Sequence, residues 1–161
     1  MSDLRFGTDA RERLADATDE GTAGALAALE TFYYALNQRD AGVLAQVWSD
    51  DPLAQLNNPL GGIIRGGTEI VRLYERVFTG RTRLEIEFSD FVEYLDGRHA
   101  LFAGRESGTY AVEGSAPVPV HIRTSRYFCY DPAHGRWLQF HHHGSIDDPQ
   151  QLAAYQRALL G

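Results

Sequence analysis

The chain has 161 residues, with 22 acidic against 15 basic side chains and a formal net charge of −7. One domain is expected at this length, with a core that needs no disulfide or metal staple. The acidic balance argues against a nucleic-acid binder and against a protein drawn to anionic lipid, while the single cysteine, Cys129, excludes an intramolecular disulfide and a cysteine-based zinc site.

Residues 1–21 are polar and without apolar period, and read as an N-terminal arm or partly ordered segment; residues 22–161 read as a single domain. Leu26, Leu29, Phe32/Tyr33 and Leu36 recur at helical spacing and predict a helix over 22–38. Asp40 is placed to cap a short second helix carrying Val43, Leu44, Val47 and Trp48, which Asp50-Asp51-Pro52 ends. Residues 53–58 read as a short strand, with turns at Pro59-Leu60-Gly61-Gly62 and Gly66-Gly67. Thr68 is expected to cap a third helix with Ile70, Leu73, Tyr74, Val77 and Phe78 inward and Gly80 at its end.

After Gly80 the apolar period becomes two: Leu84, Ile86 and Phe88 alternate with Glu85 and Glu87. Further strands are expected near 91–95, 99–112, 118–130 and 137–146, separated by turns at Asp96-Gly97, Glu113-Gly114-Ser115 and 131–135. A last helix is expected to start at Asp147/Asp148, with Pro149 in its first turn and Leu152, Tyr155 and Leu159 docking it. Helices first and hairpin-joined strands after them describe an α+β fold, with helices on one face of a curved antiparallel sheet. The Gly-Gly pairs lack the spacing and the Lys-Ser/Thr of a phosphate loop. No apolar run approaches the ~20 residues of a membrane span. The N-terminus has no secretory apolar region. With the lone thiol, this points to the cytoplasm.

In the strand over 118–130, the more apolar face carries Val120, Ile122, Thr124, Arg126, Phe128 and Tyr130. Arg126 is therefore expected inside. A buried guanidinium must be paired, either in a structural ion pair with an internal carboxylate or as the receptor of an anionic ligand. In the next strand Leu138, Phe140, His142, Gly144 and Ile146 form the apolar face, so His142 is expected inward beside Arg126. It is either a hydrogen-bonded core histidine or a group that donates to a ligand or moves a proton. Trp137, His141 and His143 would then face outward, toward water or another subunit. His141 and His143 with His121 are the one set that could hold a metal, and a subunit contact is the better explanation. Tyr33, Tyr34, Trp48 and Tyr74 are core residues by default and ligand walls if their polar tips reach a cavity. Asn57 and Asn58 are turn formers or ligand-orienting amides. Of Arg105 and Glu106, adjacent on one strand, only one can point inward.

The stretches ALETFYYALNQRDAGVLAQVWSDDP, NNPLGGIIRGGTEIVRLYERVF, RTSRYFCY and GRWLQFHHHGS resemble the nuclear transport factor 2-like superfamily. More narrowly they resemble SnoaL-like domains, and the chain is similar to the association domain of calcium/calmodulin-dependent kinase II. The resemblance spans residues 22–146. It implies a cone: a strongly curved sheet wrapped on helices, with an internal pocket open at one end and dimers formed through the outer sheet face. It also implies pocket arginines from two strands, at positions matched by Arg126 and Arg105; a third basic position holds Gly144 here. Ketosteroid isomerases of the same superfamily carry a catalytic aspartate where this chain has Asn58, and a tyrosine where it has Phe32. An amide cannot abstract a proton, so steroid-isomerase chemistry is not expected.

The functional expectation is a homodimeric protein that binds a small, partly apolar, carboxylate-bearing molecule without a cofactor. Arg126 and Arg105 would hold the carboxylate, Asn58 and His142 would orient the ligand, and Tyr33, Trp48, Tyr74 and Phe140 would form walls. If turnover occurs, His142 is the acid–base candidate for a cofactor-free isomerase, lyase (dehydratase) or hydrolase. The alternative is an oligomerisation or accessory module with a vestigial pocket, in which an internal carboxylate neutralises Arg126.

Overall fold

The computed structural model describes residues 3–146 and 148–160. Among them are helices α1 (Thr22–Gln38), α2 (Ala41–Val47), α3 (Gly67–Thr79) and α4 (Pro149–Leu160). The strands are β1 (Gln55–Asn57), β2 (Ile64–Arg65), β3 (Thr82–Asp96), β4 (His99–Val112), β5 (Val118–Asp131) and β6 (Arg136–Ser145). They form one curved sheet in the order β2-β1-β6-β5-β4-β3. The hairpin-joined strands β3 to β6 are antiparallel, whereas β1 joins β6 in parallel. The helices pack on one face, giving the α+β cone that the order of elements implied.

Helix α1 takes the expected limits because Arg39 closes it in the left-handed conformation, at φ 58°. Asp40 then caps α2 by accepting from Val43 N at 2.9 Å. Helix α3 starts two residues earlier than a Thr68 cap would place it, at Gly67 with Gly66 as its cap. Gly66, at φ 83°, makes the turn into the helix. A Cβ on Gly67 would sit 2.0 Å from the Ser49 carbonyl oxygen, so α3 can approach α2's end only with glycine there. Asp148 accepts from Gln151 N at 2.8 Å and so starts α4; Asp147, the other expected start, lies outside the described residues. No helix among the described residues is long and apolar enough to cross a membrane.

Two bulges bend the sheet. The segments expected as separate strands around Ile86 and Phe91 run together as β3, broken in register between Ser89 and Val92, where Asp90 adopts φ 48°. Aspartate tolerates this conformation better than most residues. In β6, Tyr127 pairs with His141 but Phe128 pairs with Gln139, leaving Phe140 as the extra residue. A bulge adds one residue on one strand and locally increases twist. It also reverses the inside–outside parity along that strand, with direct consequences for the site.

The core between α1 and the sheet is an aromatic chain. Tyr33 stacks on Phe88 at 5.3 Å between ring centres, Phe88 on Phe91 at 4.8 Å, and Phe102 meets Phe128 edge-on at 5.8 Å. The N-terminal segment packs against this core. Phe6 is buried and exchanges both backbone hydrogen bonds with Phe88, at 3.0 and 2.9 Å. Glu30 of α1, buried, receives Arg11 Nε and Arg13 Nη1, each at 3.1 Å. Burial pushes this carboxyl up, and the hydrogen bonds from Arg11 and Arg13 outweigh it and hold the group below its ordinary value.

Candidate functional site

Between α3, α4 and the inner face of the sheet lies a cavity of about 60 Å³, room for several waters at roughly 10–15 Å³ each. Its walls are mostly apolar, among them Leu56, Leu73, Ile86, Ile122 and Leu159. Polar groups enter from Asn58, Tyr74, Glu106, Arg126, His142 and Tyr155. A largely apolar lining with a few convergent polar groups is the chemistry of a small-molecule site, in a cavity well below the ~300–1,000 Å³ of a drug-sized pocket.

Arg126 lies inside, as the alternation of β5 implied, and it is paired. Its Nη2 donates to Glu106 Oε1 at 2.6 Å and its Nε donates to Tyr33 Oη at 2.8 Å. The Tyr33 hydroxyl in turn donates to Glu106 Oε1 at 2.7 Å. A third donor, Nη1, reaches Gln139 Oε1 at 3.4 Å, and the guanidinium carbon sits 3.7 Å above the Phe32 ring. Burial alone would lower the guanidinium's pKa, but the charge and hydrogen bond of the Glu106 carboxylate hold the group charged. Burial raises Tyr33 well above its ordinary value and Tyr74 to about 12, so both phenols keep their protons.

His142 pairs in register with Arg126 on the neighbouring strand. It is buried, and its Nε2 lies 2.7 Å from Thr124 Oγ1. Its Nδ1 is enclosed, with no hydrogen-bond partner among the described residues. Burial first, then Arg126, His141 and His143, depress its pKa well below 6.5, so the imidazole is neutral.

The other expected site residues divide. Tyr74 and Asn58 reach the cavity; Asn58 also accepts from Leu60 N at 2.9 Å, the turn-forming bond its position suggested. Tyr33 is inside but sits behind Arg126 as its partner rather than on the cavity wall. Trp48 is core and lines a separate cleft with Ser49 and Gly67. Arg105 is on the outer face, its side chain 70% exposed and paired with Asp90 at 3.2 Å. Glu106 takes the inward place, and the parity that it shares with Phe102 and Tyr110 was the available signal. Phe140 is not a pocket wall: as the bulged residue it packs on Tyr127, at 6.3 Å between ring centres. Trp137 is not outward either. The bulge turns it inside, where its Nε1 donates to the Asp19 carbonyl at 2.8 Å. Gln139, Thr124 and Tyr155 were not anticipated as site residues. Among the described residues no three histidine, cysteine, aspartate or glutamate side chains gather as a metal site.

Solved structures share this fold. A candidate calcium/calmodulin-dependent protein kinase II association domain from Xanthomonas campestris is similar at 21% identity and a TM-score of 0.65, over 87% of this chain and 97% of its own. A ketosteroid isomerase-like protein from Erwinia carotovora atroseptica is similar at 19% identity and a TM-score of 0.64, over 86% and 99%. A candidate dehydratase of the nuclear transport factor 2-like family from Streptomyces avermitilis is similar at 18% identity and a TM-score of 0.64, over 76% and 93%. No protein of curated function matches the chain. At these identities the likenesses establish the cone and no reaction. The sequence match is more specific: residues 25–149 fit the SnoaL-like domain, and the chain belongs to that family.

Proposed function

We propose that this SnoaL-like protein binds a small, largely apolar, uncharged molecule in the cavity beneath α3 and α4. The carrying observation is the 2.6 Å pair of Arg126 and Glu106 on a cavity wall that is otherwise mainly hydrocarbon. The expectation of a carboxylate ligand rested on an unpaired Arg126 joined by Arg105. Arg126 is already neutralised and Arg105 is outside, so a carboxylate entering the cavity meets Glu106 as well as Arg126. Apolar burial supplies the affinity, at roughly 25 cal/mol per Å² of ligand surface removed from water. An enzyme built on this site would use His142 for proton transfer, in the class of cofactor-free isomerases, lyases or hydrolases.

A thermal-shift comparison of toluene with benzoate tests this reading. At 100 times its dissociation constant a ligand stabilises the fold by about 2.7 kcal/mol. Toluene is expected to raise the melting temperature, benzoate is not, and Leu73→Phe, which fills the cavity, is expected to abolish the response. Benzoate shifting the melt more than toluene would reverse the reading.

The same ion pair supports a second reading, an assembly module with a vestigial cavity. In it, copies of the chain pair through the outer sheet face around His141 and His143, without Trp137. A discrete dimer in sedimentation, weakened by His143→Glu and indifferent to Leu73→Phe, is its expected signature.

A further inference from the structure

We infer, resting on the reading of the cavity as a ligand site, that its ligand carries a hydroxyl group, of the alcohol or phenol class, which donates to Nδ1 of His142. The argument starts from Thr124. Its Oγ1 lies 2.7 Å from His142 Nε2 and 3.3 Å from the His143 carbonyl oxygen. A hydroxyl has one proton. Given to the His143 carbonyl, it leaves Oγ1 to accept from Nε2–H, and both contacts are hydrogen bonds. Given to Nε2, it leaves the His143 carbonyl without it. The first arrangement makes one more bond and fixes the Nε2–H tautomer. Nδ1 is then a bare lone pair, enclosed and without a partner among the described residues, on a residue that lines the cavity. An imidazole held neutral by burial and by Arg126 keeps that lone pair at neutral pH.

Arg126 specifies the group further. It carries five N–H donors, and three meet Tyr33, Gln139 and Glu106. It is the register partner of His142. Both residues line the cavity, His142 with an unfilled ring nitrogen and Arg126 with donors beyond the three bonds named among the described residues. A hydroxyl both donates and accepts. A ketone or ether can only accept, and a hydrocarbon does neither. The hydrogen bonds that reach Glu106 among the described residues also fall on Oε1, which adds acceptor capacity to the cavity lining.

Nitrogen-15 spectra of the imidazoles, with His142 identified by loss of its signals in His142→Gln, test this in the free protein and with phenol or toluene. The expected result is an Nε2–H tautomer at neutral pH and an Nδ1 signal that phenol moves and toluene does not. Phenol is expected to bind about tenfold more tightly than toluene, the scale of one hydrogen bond, and His142→Gln and Thr124→Val are each expected to narrow that ratio. An Nδ1–H tautomer overturns the inference. So does equal binding of the two rings with Nδ1 unmoved, while leaving the cavity reading intact. If neither ring binds, the cavity reading falls and the hydroxyl inference with it.

Discussion

Arg126 of β5 and Glu106 of β4 meet at 2.6 Å with their side chains 2% and 5% exposed. Removing one member of such a pair leaves a charge buried without a partner, at a cost of about 3–5 kcal/mol, whereas replacing both by apolar groups is often close to neutral. Arg126→Met and Glu106→Leu should therefore each lower unfolding free energy by that amount. The double variant should lose far less than their sum. Urea titrations of the four proteins give the coupling, and additive losses would show that the pair does not act as a unit.

Arg105, one position away from Glu106 along β4, should behave in the opposite way. Its ion pair with Asp90 is on the outer face, where exposed pairs contribute about 0–1 kcal/mol. Arg105→Ala should leave stability within that margin and leave ligand binding unchanged. A loss of ligand response in this variant would contradict its placement outside the cavity.

Most of the fold was legible because it depends on periodicity. The switch from a helical period around Leu73 and Tyr74 to alternation at Leu84, Ile86 and Phe88 marks where α3 ends and β3 begins. Arg126 and His142 were placed correctly for the same reason, and their register pairing follows from a short hairpin. What failed was parity carried past a bulge. Counting by twos along β6 puts Phe140 inside and Trp137 outside, and one extra residue exchanges them. Nothing in FHHH signals that insertion. Glu106 is different: its parity with Phe102 and Tyr110 was visible, and the likeness to arginine-lined pockets drew the reading to Arg105 instead. Tyr155 was expected to dock α4, but a cavity partner on a distant helix has no local signature.

Acid should destabilise the protein through His142. Its folded pKa is depressed well below the unfolded value of 6.5, so on acidification the unfolded chain takes up a proton that the folded chain refuses. Stability is complete above about pH 6.5 and falls as pH drops toward the folded pKa, by up to about 1.4 kcal/mol per pH unit. His142→Gln removes this contribution. Its stability relative to the wild type should rise between pH 7 and 5, as measured by denaturant midpoints. Parallel curves would show that the imidazole titrates alike in both states.

The N-terminal segment should exchange its amide protons slowly at Phe6. Phe6 N–H and Phe88 N–H each donate to the other's carbonyl beside the β3 bulge. Phe6→Ala should cost about 3–5 kcal/mol, the range for truncating a buried phenylalanine, and should speed exchange at Phe88. Rapid exchange at Phe6 in the wild type would mean that the segment is detached in solution.

The bulge at Phe140 separates two kinds of information within a single strand. Gln139 before it and His142 after it both face the helices, and would do so in an uninterrupted strand lacking Phe140. The extra residue thus changes how sharply β6 bends while leaving each neighbour's side unchanged. Deleting Phe140 should therefore change the local bend and twist of β6 with Gln139 and His142 still on the helix side.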